Sequence, residues 1–275
     1  MKKNLMSDIE RYIKSRDIPV FAAADAERLN QTAPEGFRPM DYLPGAKSVL
    51  LLAKPLPVSV FSSANDPGYS FYIRAFTSYY NLMNESANQI SVMLESEGFA
   101  SLPVPSYSPL TFYRGEPRGL ISFKHAAEAA GLGRIGKNTL FIHPEYGNVL
   151  RFGGVLTTMK WPAVRSGQAG AGKSCPEGCT LCIQACPVGA LKGGTIDKTA
   201  CMTRCIKHVM MPPRFMMRFL GAVMRKSTKL TRFMELFTLN FFEEYGIRCV
   251  NCLTACPHFP GRKLNASASR LGDAS

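Results

Sequence analysis

Apolar and polar positions change rhythm several times along the first 160 residues. Over residues 4–16 they alternate with the period of a short amphipathic helix. The stretch Leu43-Pro-Gly-Ala-Lys-Ser-Val-Leu-Leu-Leu-Ala53 reads as a turn feeding a buried strand, because its apolar run is short, unbroken and preceded by Pro-Gly. Helical periodicity with few breakers returns over residues 70–97 and stops at Gly98. A second helical stretch, 120–130, stops at Gly131. Two β-rich apolar runs follow, Asn138–His143 and Val149–Met159. Helices and strands are mixed, so residues 1–163 are expected to form an α/β (α+β) layered domain. Residues 162–174 are rich in Gly, Ala and Ser, which predicts a linker over 164–174. A cysteine-rich domain is expected over 175–260, interrupted by a Met-, Phe- and Arg-rich insert at 207–245 and followed by a tail, 261–275.

Composition narrows the class. No run of eighteen apolar residues exists, so no transmembrane helix is expected. The first fourteen residues are charged and lack an apolar core, and no twin-arginine pair is near, so the expected compartment is the cytoplasm. The formal net charge of +13 suits a polyanionic partner: nucleic acid, a membrane surface or an acidic redox protein. It equally suits a lysine- and arginine-coated surface. No zinc-finger or aromatic RNA-binding motif points to nucleic acid.

All nine cysteines lie between Cys175 and Cys256. In a cytoplasmic chain such clustering reads as metal binding rather than disulfides. The first motif is Cys175-x3-Cys179-x2-Cys182-x3-Cys186-Pro187. The second is Cys249-x2-Cys252-x3-Cys256-Pro257, with Cys201 and Cys205 between them. In bacterial two-cluster ferredoxins three closely spaced cysteines hold one cluster, and the fourth, before Pro, reaches the other. Crossing the motifs assigns Cys175, Cys179, Cys182 and Cys256 to one [4Fe–4S] cluster. Cys186, Cys201, Cys249 and Cys252 go to a second. One thiol is left over, and Cys201 and Cys205 could exchange roles. Zinc also uses CxxC pairs, but not this Cys-Pro ending or crossed order. The first gap is one residue longer than the usual spacing.

Two further patterns match motifs without their context. Gly167-Gln-Ala-Gly-Ala-Gly172-Lys173-Ser174 has the letters of a phosphate-binding P-loop, but Cys175-Pro176 follows at once, where a helix is required. No ATP binding is expected there. Gly131-Leu-Gly133-Arg-Ile-Gly136 matches the dinucleotide fingerprint, but a helix precedes it and a strand follows, the reverse of the required order.

The stretch Ala126-Ala-Glu-Ala-Ala-Gly-Leu-Gly-Arg-Ile-Gly-Lys-Asn-Thr-Leu-Phe-Ile-His-Pro-Glu-Tyr-Gly147 resembles the core of epoxyqueuosine reductases. Leu43 to Leu50 and the spacing of eight cysteines agree with that family over roughly residues 36–257. The family's members are cobalamin-dependent iron–sulfur enzymes related to reductive dehalogenases. The resemblance implies a base-off cobalamin between the α/β half and the ferredoxin-like half, lined by Gly131, Gly133, Gly136, Lys137 and Asn138. It also implies a low-potential electron donor such as a ferredoxin or flavodoxin, and a substrate of the tRNA queuosine type. The chain departs from the family in three places, one of them a gap from Cys201 to Cys249 about twenty residues longer than the family's. The acidic proton donor expected about thirteen residues before Ala130-Gly-Leu-Gly is absent, and Pro117 stands there. Glu116, His125 and Tyr113 are the alternative donors. The family's bacterial members often add a helical-repeat extension that grips tRNA, whereas this sequence runs only to Ser275.

Within the insert, Met210 to Lys226 interleaves apolar and basic residues, which suits a membrane surface or a protein partner. Three functions are therefore expected to compete: a cobalamin-dependent reductase, a cytoplasmic relative of reductive dehalogenases, and a two-cluster electron carrier without a corrinoid.

Overall fold

The structure is a computed structural model that describes residues 2–61, 70–107, 111–162, 175–207, 214–241, 246–247 and 249–262. The expected linker, the P-loop-like stretch and the tail beyond residue 262 lie outside the described residues.

Helix α1, Lys2–Ser15, is followed by strand β1, Val20–Asp25, helix α2, Ala26–Thr32, and a short helix α3, Pro39–Tyr42. Strand β2, Ser48–Pro55, leads to the long helix α4, Ser70–Glu95, and then to β3, Ser101–Val104. A hairpin of β4, Thr111–Tyr113, and β5, Glu116–Arg118, precedes helix α5, Phe123–Ala129. A second small hairpin, β6 (Arg134–Ile135) and β7 (Phe141–Ile142), leads to β8, Leu150–Thr157. The main sheet has the order β1-β2-β8-β3, and all its pairs are antiparallel.

Helices cover both faces of this sheet, which explains why β2 reads as an uninterrupted apolar run. Leu50 and Leu52 point to one face, where they meet Ile9 and Ile13 of α1 and Met83, Ile90 and Leu94 of α4. Val49 and Leu51 point to the other, against Leu29 of α2 and Phe123, Ala126 and Ala127 of α5. The fold is thus a mixed α/β three-layer arrangement. Leu50, Leu51 and Leu52 are fully buried, and each contributes roughly 1.5–3 kcal/mol by leaving water. Asp25 caps α2 by accepting from the Glu27 amide at 2.9 Å, and it pairs with Lys160 beyond the end of β8. Helix α5 ends as its sequence suggests: Gly131 takes φ +76°, a conformation that costs a side-chain-bearing residue energy.

The cysteine-rich part contains short helices α6 (Leu181–Gln184) and α7 (Lys198–Cys205) and strand β9 (Ile206–Lys207). After these come α8 (Arg214–Met224), α9 (Thr228–Phe241), β10 (Gly246–Ile247) and α10 (Asn251–Thr254). Strands β9 and β10 pair antiparallel, Ile206 with Ile247. This ladder closes the insert at its base and returns the chain to Cys249. Helices α6 and α10 are two copies of one turn. Ile183 N donates to Thr180 O and Cys186 N to Ile183 O; Leu253 N donates to Val250 O and Cys256 N to Leu253 O. A third apolar cluster joins this part to the layers: Leu56, Phe61, Tyr72, Phe76 and Val149 pack with Val250, Leu253 and Phe259. Rings Phe61 and Phe259 meet edge-on at 5.7 Å.

Candidate redox site

The nine thiols are all free. Burial raises the Cys256 thiol, and Cys175, Cys182 and Cys179 add charge repulsion. Burial likewise raises Cys182, followed by repulsion from Cys175 and Cys179. These four therefore feel one another across the two motifs. In the second group, burial pushes Cys252 up to about 12, with further contributions from Cys201, Cys249 and Cys186, and last from Cys182 of the first group, so the two groups adjoin at Cys252. Among the described residues, no three His, Cys, Asp or Glu groups stand at single-ion distance. One tetrahedral zinc would hold its thiolates about 3.8 Å apart, given bonds near 2.3 Å. A cubane spreads four thiolates over its corners, and a donor set of thiols alone in two groups fits that need.

Cys205 and Cys201 are one helical turn apart on α7 and hydrogen-bond to each other. Cys205 Sγ also donates to the carbonyl of Cys249 at 3.5 Å. Its bond to Cys201 lowers the Cys201 thiol to about 7 and raises its own.

The Gly136-Lys137-Asn138 stretch, expected to line a corrin, also fastens the two parts together. The Lys137 amide donates to Cys175 Sγ at 3.3 Å, and Lys137 Nζ donates to the Cys179 carbonyl at 2.9 Å. The Lys137 carbonyl accepts from Gly194 N at 3.0 Å. Asn138, nearly fully buried, donates to the Cys252 carbonyl at 3.1 Å, and its side-chain oxygen accepts from Leu140 N. Asn148, which the sequence reading passed over, does the same for Leu253 at 2.9 Å. Its local sequence marks only a turn, because its partner lies 105 residues away. At Gly133 a Cβ would stand 2.1 Å from the Ile142 carbonyl, so the β6–β7 hairpin itself requires glycine there. At Gly136 a Cβ would meet Ile142 Cδ1 at 2.8 Å and Cys175 Sγ at 3.5 Å.

The three candidate proton donors have different surroundings. Glu116 is half-exposed and pairs with Lys198 at 3.1 Å. Tyr113 packs edge-on against Phe37 at 5.6 Å, with the Arg118 guanidinium 5.0 Å from its ring centre. His125 is exposed, and its Nδ1 lies 2.6 Å from Ser122 Oγ. Burial first, then the neighbouring Lys124 charge, lowers its pKa; Glu128 acts against them. His125 borders a cavity of about 720 Å³, whose wall includes Phe37, Arg118, Lys124 and Lys198. Lys198 comes from α7, one helical turn before Cys201, so the cavity touches both parts of the chain.

Helices α8 and α9 lie against the β4–β5 hairpin next to this cavity. At Gly115 a Cβ would stand 2.2 Å from the Gly221 carbonyl of α8, and Phe112 N donates to Glu235 of α9 at 3.2 Å. Arg218 pairs with Asp197 at 3.2 Å. Phe215 and Phe219 of α8 are left 74% and 67% exposed. Positions 210–213 of the interleaved stretch lie outside the described residues.

No protein-family model matches this chain. An epoxyqueuosine reductase of Bacillus cereus is 29% identical over 169 residues, covering 60% of this chain and 41% of that protein. The Escherichia coli enzyme of the same name is 25% identical over 172 residues, 60% and 42% of the two chains. A crystal structure of epoxyqueuosine reductase with an epoxyqueuosine-modified tRNA stem loop superposes with a TM-score of 0.57 at 20% identity. That match covers 94% of this chain and 66% of the other. A catabolic reductive dehalogenase in complex with 3-bromo-4-hydroxybenzoic acid is a more distant neighbour, with a TM-score of 0.50, 12% identity, and 84% and 35% coverage. The chain is therefore similar in sequence and fold to epoxyqueuosine reductases, and more distantly in fold to reductive dehalogenases. It spans about two fifths of the length of these two curated relatives. Among the described residues no helix is long and apolar enough to cross a membrane.

Proposed function

We propose that the chain is a reductase of the epoxyqueuosine reductase type, carrying two [4Fe–4S] clusters and a corrinoid. The observation that supports this most is the position of the cavity. It is bounded by both parts of the chain and sits one helical turn from Cys201 on α7. In this reading an α/β cobalamin-binding domain spans residues 1–163 and a ferredoxin-like domain spans 175–260.

Cys175, Cys179, Cys182 and Cys256 hold the first cluster, and Cys186, Cys201, Cys249 and Cys252 the second. Cys201 is chosen over Cys205 because Cys205 Sγ is turned to the Cys249 carbonyl, whereas Cys201 is the α7 thiol that acts on Cys252. The Lys137 amide and the Ala190 amide donate to Cys175 and Cys186, at 3.3 and 3.2 Å. Such bonds stabilise the more negative, reduced cluster and raise its potential. Gly131, Gly133, Gly136, Lys137 and Asn138 fix the wall on the corrinoid side. A bound corrinoid supplies a strongly reducing metal centre that takes electrons from the clusters. His125 is our choice of proton donor, because it is the candidate that borders the cavity. Ser122 orients its ring. A ferredoxin or flavodoxin would supply electrons, and the net charge of +13 suits an acidic donor or a tRNA substrate.

The test is anaerobic loading with iron, sulfide and hydroxocobalamin, followed by gel filtration and EPR. We expect retained cobalamin and a cob(II)alamin signal without lower nitrogen coupling. Two clusters with no retained cobalamin would replace this reading with that of an electron carrier.

A further inference from the structure

The cavity wall gathers three cationic side chains from separate segments: Arg118 from β5, Lys124 from α5 and Lys198 from α7. No Asp or Glu is among the described residues that line it. Lys124 Nζ is anchored by the Thr139 carbonyl at 2.9 Å. Lys198 Nζ lies 3.3 Å from the Pro117 carbonyl and is partly balanced by Glu116. Arg118 lies over the rings of Phe37 and Tyr113, at 5.8 and 5.0 Å, and its Nε is buried with no hydrogen-bond partner. These charges oppose one another: after burial, Lys198 and then Arg118 are what lower the Lys124 pKa. Like charges held together in a half-closed space, with a buried donor unpaired, are stabilised by an incoming anion.

We propose that this cavity binds a phosphate group, with Arg118, Lys124 and Lys198 as its ligands. Phosphate suits the site better than a single carboxylate, because it presents oxygens to three donors at once and can carry two negative charges. Ser122 stands on the same wall and can donate a further hydrogen bond. The phosphate has two sources, the substrate or the nucleotide loop of a bound cobalamin. The choice between them rests on the reductase reading, whereas the site itself does not.

The experiment is calorimetric titration of inorganic phosphate into cluster-loaded, corrinoid-free full-length protein, under anaerobic conditions and low salt. We expect one saturable site per chain. Lys124→Gln and Lys198→Gln should each weaken it about tenfold, the loss expected for one charge-assisted hydrogen bond. Both should keep the parent's iron content, and Lys229→Gln on α9 should bind as the parent does. If Lys124→Gln loses iron, Lys198→Gln carries the comparison, because its ion-pair partner is half-exposed. No saturable binding at millimolar phosphate, or parental affinity in the Lys124→Gln/Lys198→Gln double variant, overturns the site. Competition with cobalamin and with cobinamide, which lacks the phosphodiester, assigns the source. Displacement of phosphate by cobalamin alone gives the site to the cofactor, and joint binding of phosphate and cobalamin gives it to the substrate. If the protein retains neither corrinoid, the reductase reading fails while the phosphate isotherm stands.

Discussion

Replacing Gly133 by Ala tests how rigidly the β6–β7 hairpin is built. The added Cβ would lie 2.1 Å from the Ile142 carbonyl oxygen and 2.8 Å from Phe141 Cζ. The first of these neighbours is backbone and cannot rotate away, so the hairpin must open by roughly 1 Å to reach ordinary contact distance. Overpacking typically costs about 1–3 kcal/mol, and a backbone collision belongs at the upper end, so we take about 3 kcal/mol. That is roughly a hundredfold in the folded-to-unfolded ratio. For a chain of this size each kcal/mol moves the melting midpoint by about 2–4 °C, which gives a drop of about 6–12 °C. The assay is a near-UV circular dichroism melt at one scan rate, with Gly98→Ala as the comparison. Gly98 has φ +83° but nothing within 4 Å of its Cβ position, so its variant should lose only about 1 kcal/mol, the cost of the left-handed backbone. The hairpin also carries Lys137, whose amide meets Cys175, so Gly133→Ala should load iron poorly as well. A Gly133→Ala midpoint no lower than that of Gly98→Ala would refute the close approach of Gly133 to Ile142.

Three more outcomes are expected. Cys205→Ser should retain about eight iron atoms per chain and Cys252→Ser about four, since each cubane carries four; equal iron loss in the two variants would make Cys205 a ligand. ATP should show no affinity that depends on Lys173, read by nucleotide titration of Lys173→Ala beside the parent. Phe215 and Phe219 protrude from α8 among Arg218, Arg225 and Lys226, with no acidic residue between Arg214 and Arg232. Sedimentation with phosphatidylglycerol vesicles should therefore exceed that with phosphatidylcholine and fall in Phe215→Ser/Phe219→Ser, and equal sedimentation of both proteins would dismiss a membrane role for this face.

The sequence by itself determined the elements whose signal is local. Helix periodicity marked α1 and α4, the run Ser48 to Ala53 marked β2, and glycines marked the ends of α4 and α5. Strand β1 escaped notice because Val20-Phe-Ala-Ala-Ala-Asp25 is rich in alanine, a helix former, and is held extended only by its ladder to β2. Strand β3 is short and contains Pro103, and its pairing with β8 spans some fifty residues of chain. The cysteine spacings suggested a crossed arrangement. What brings Cys201 toward Cys249 across the insert is the two-residue ladder of β9 and β10, which no spacing rule contains. The same holds for Gly136-Lys137-Asn138: its letters were legible, but its bonds to the Cys175, Cys179 and Cys252 loops exist only once distant segments meet. The three cations of the cavity lie up to eighty residues apart, at 118, 124 and 198. Each reads as an ordinary surface residue in a chain of net charge +13, because sequence records charge but not direction. Only the meeting of β5, α5 and α7 in the folded chain sets these three on one cavity wall.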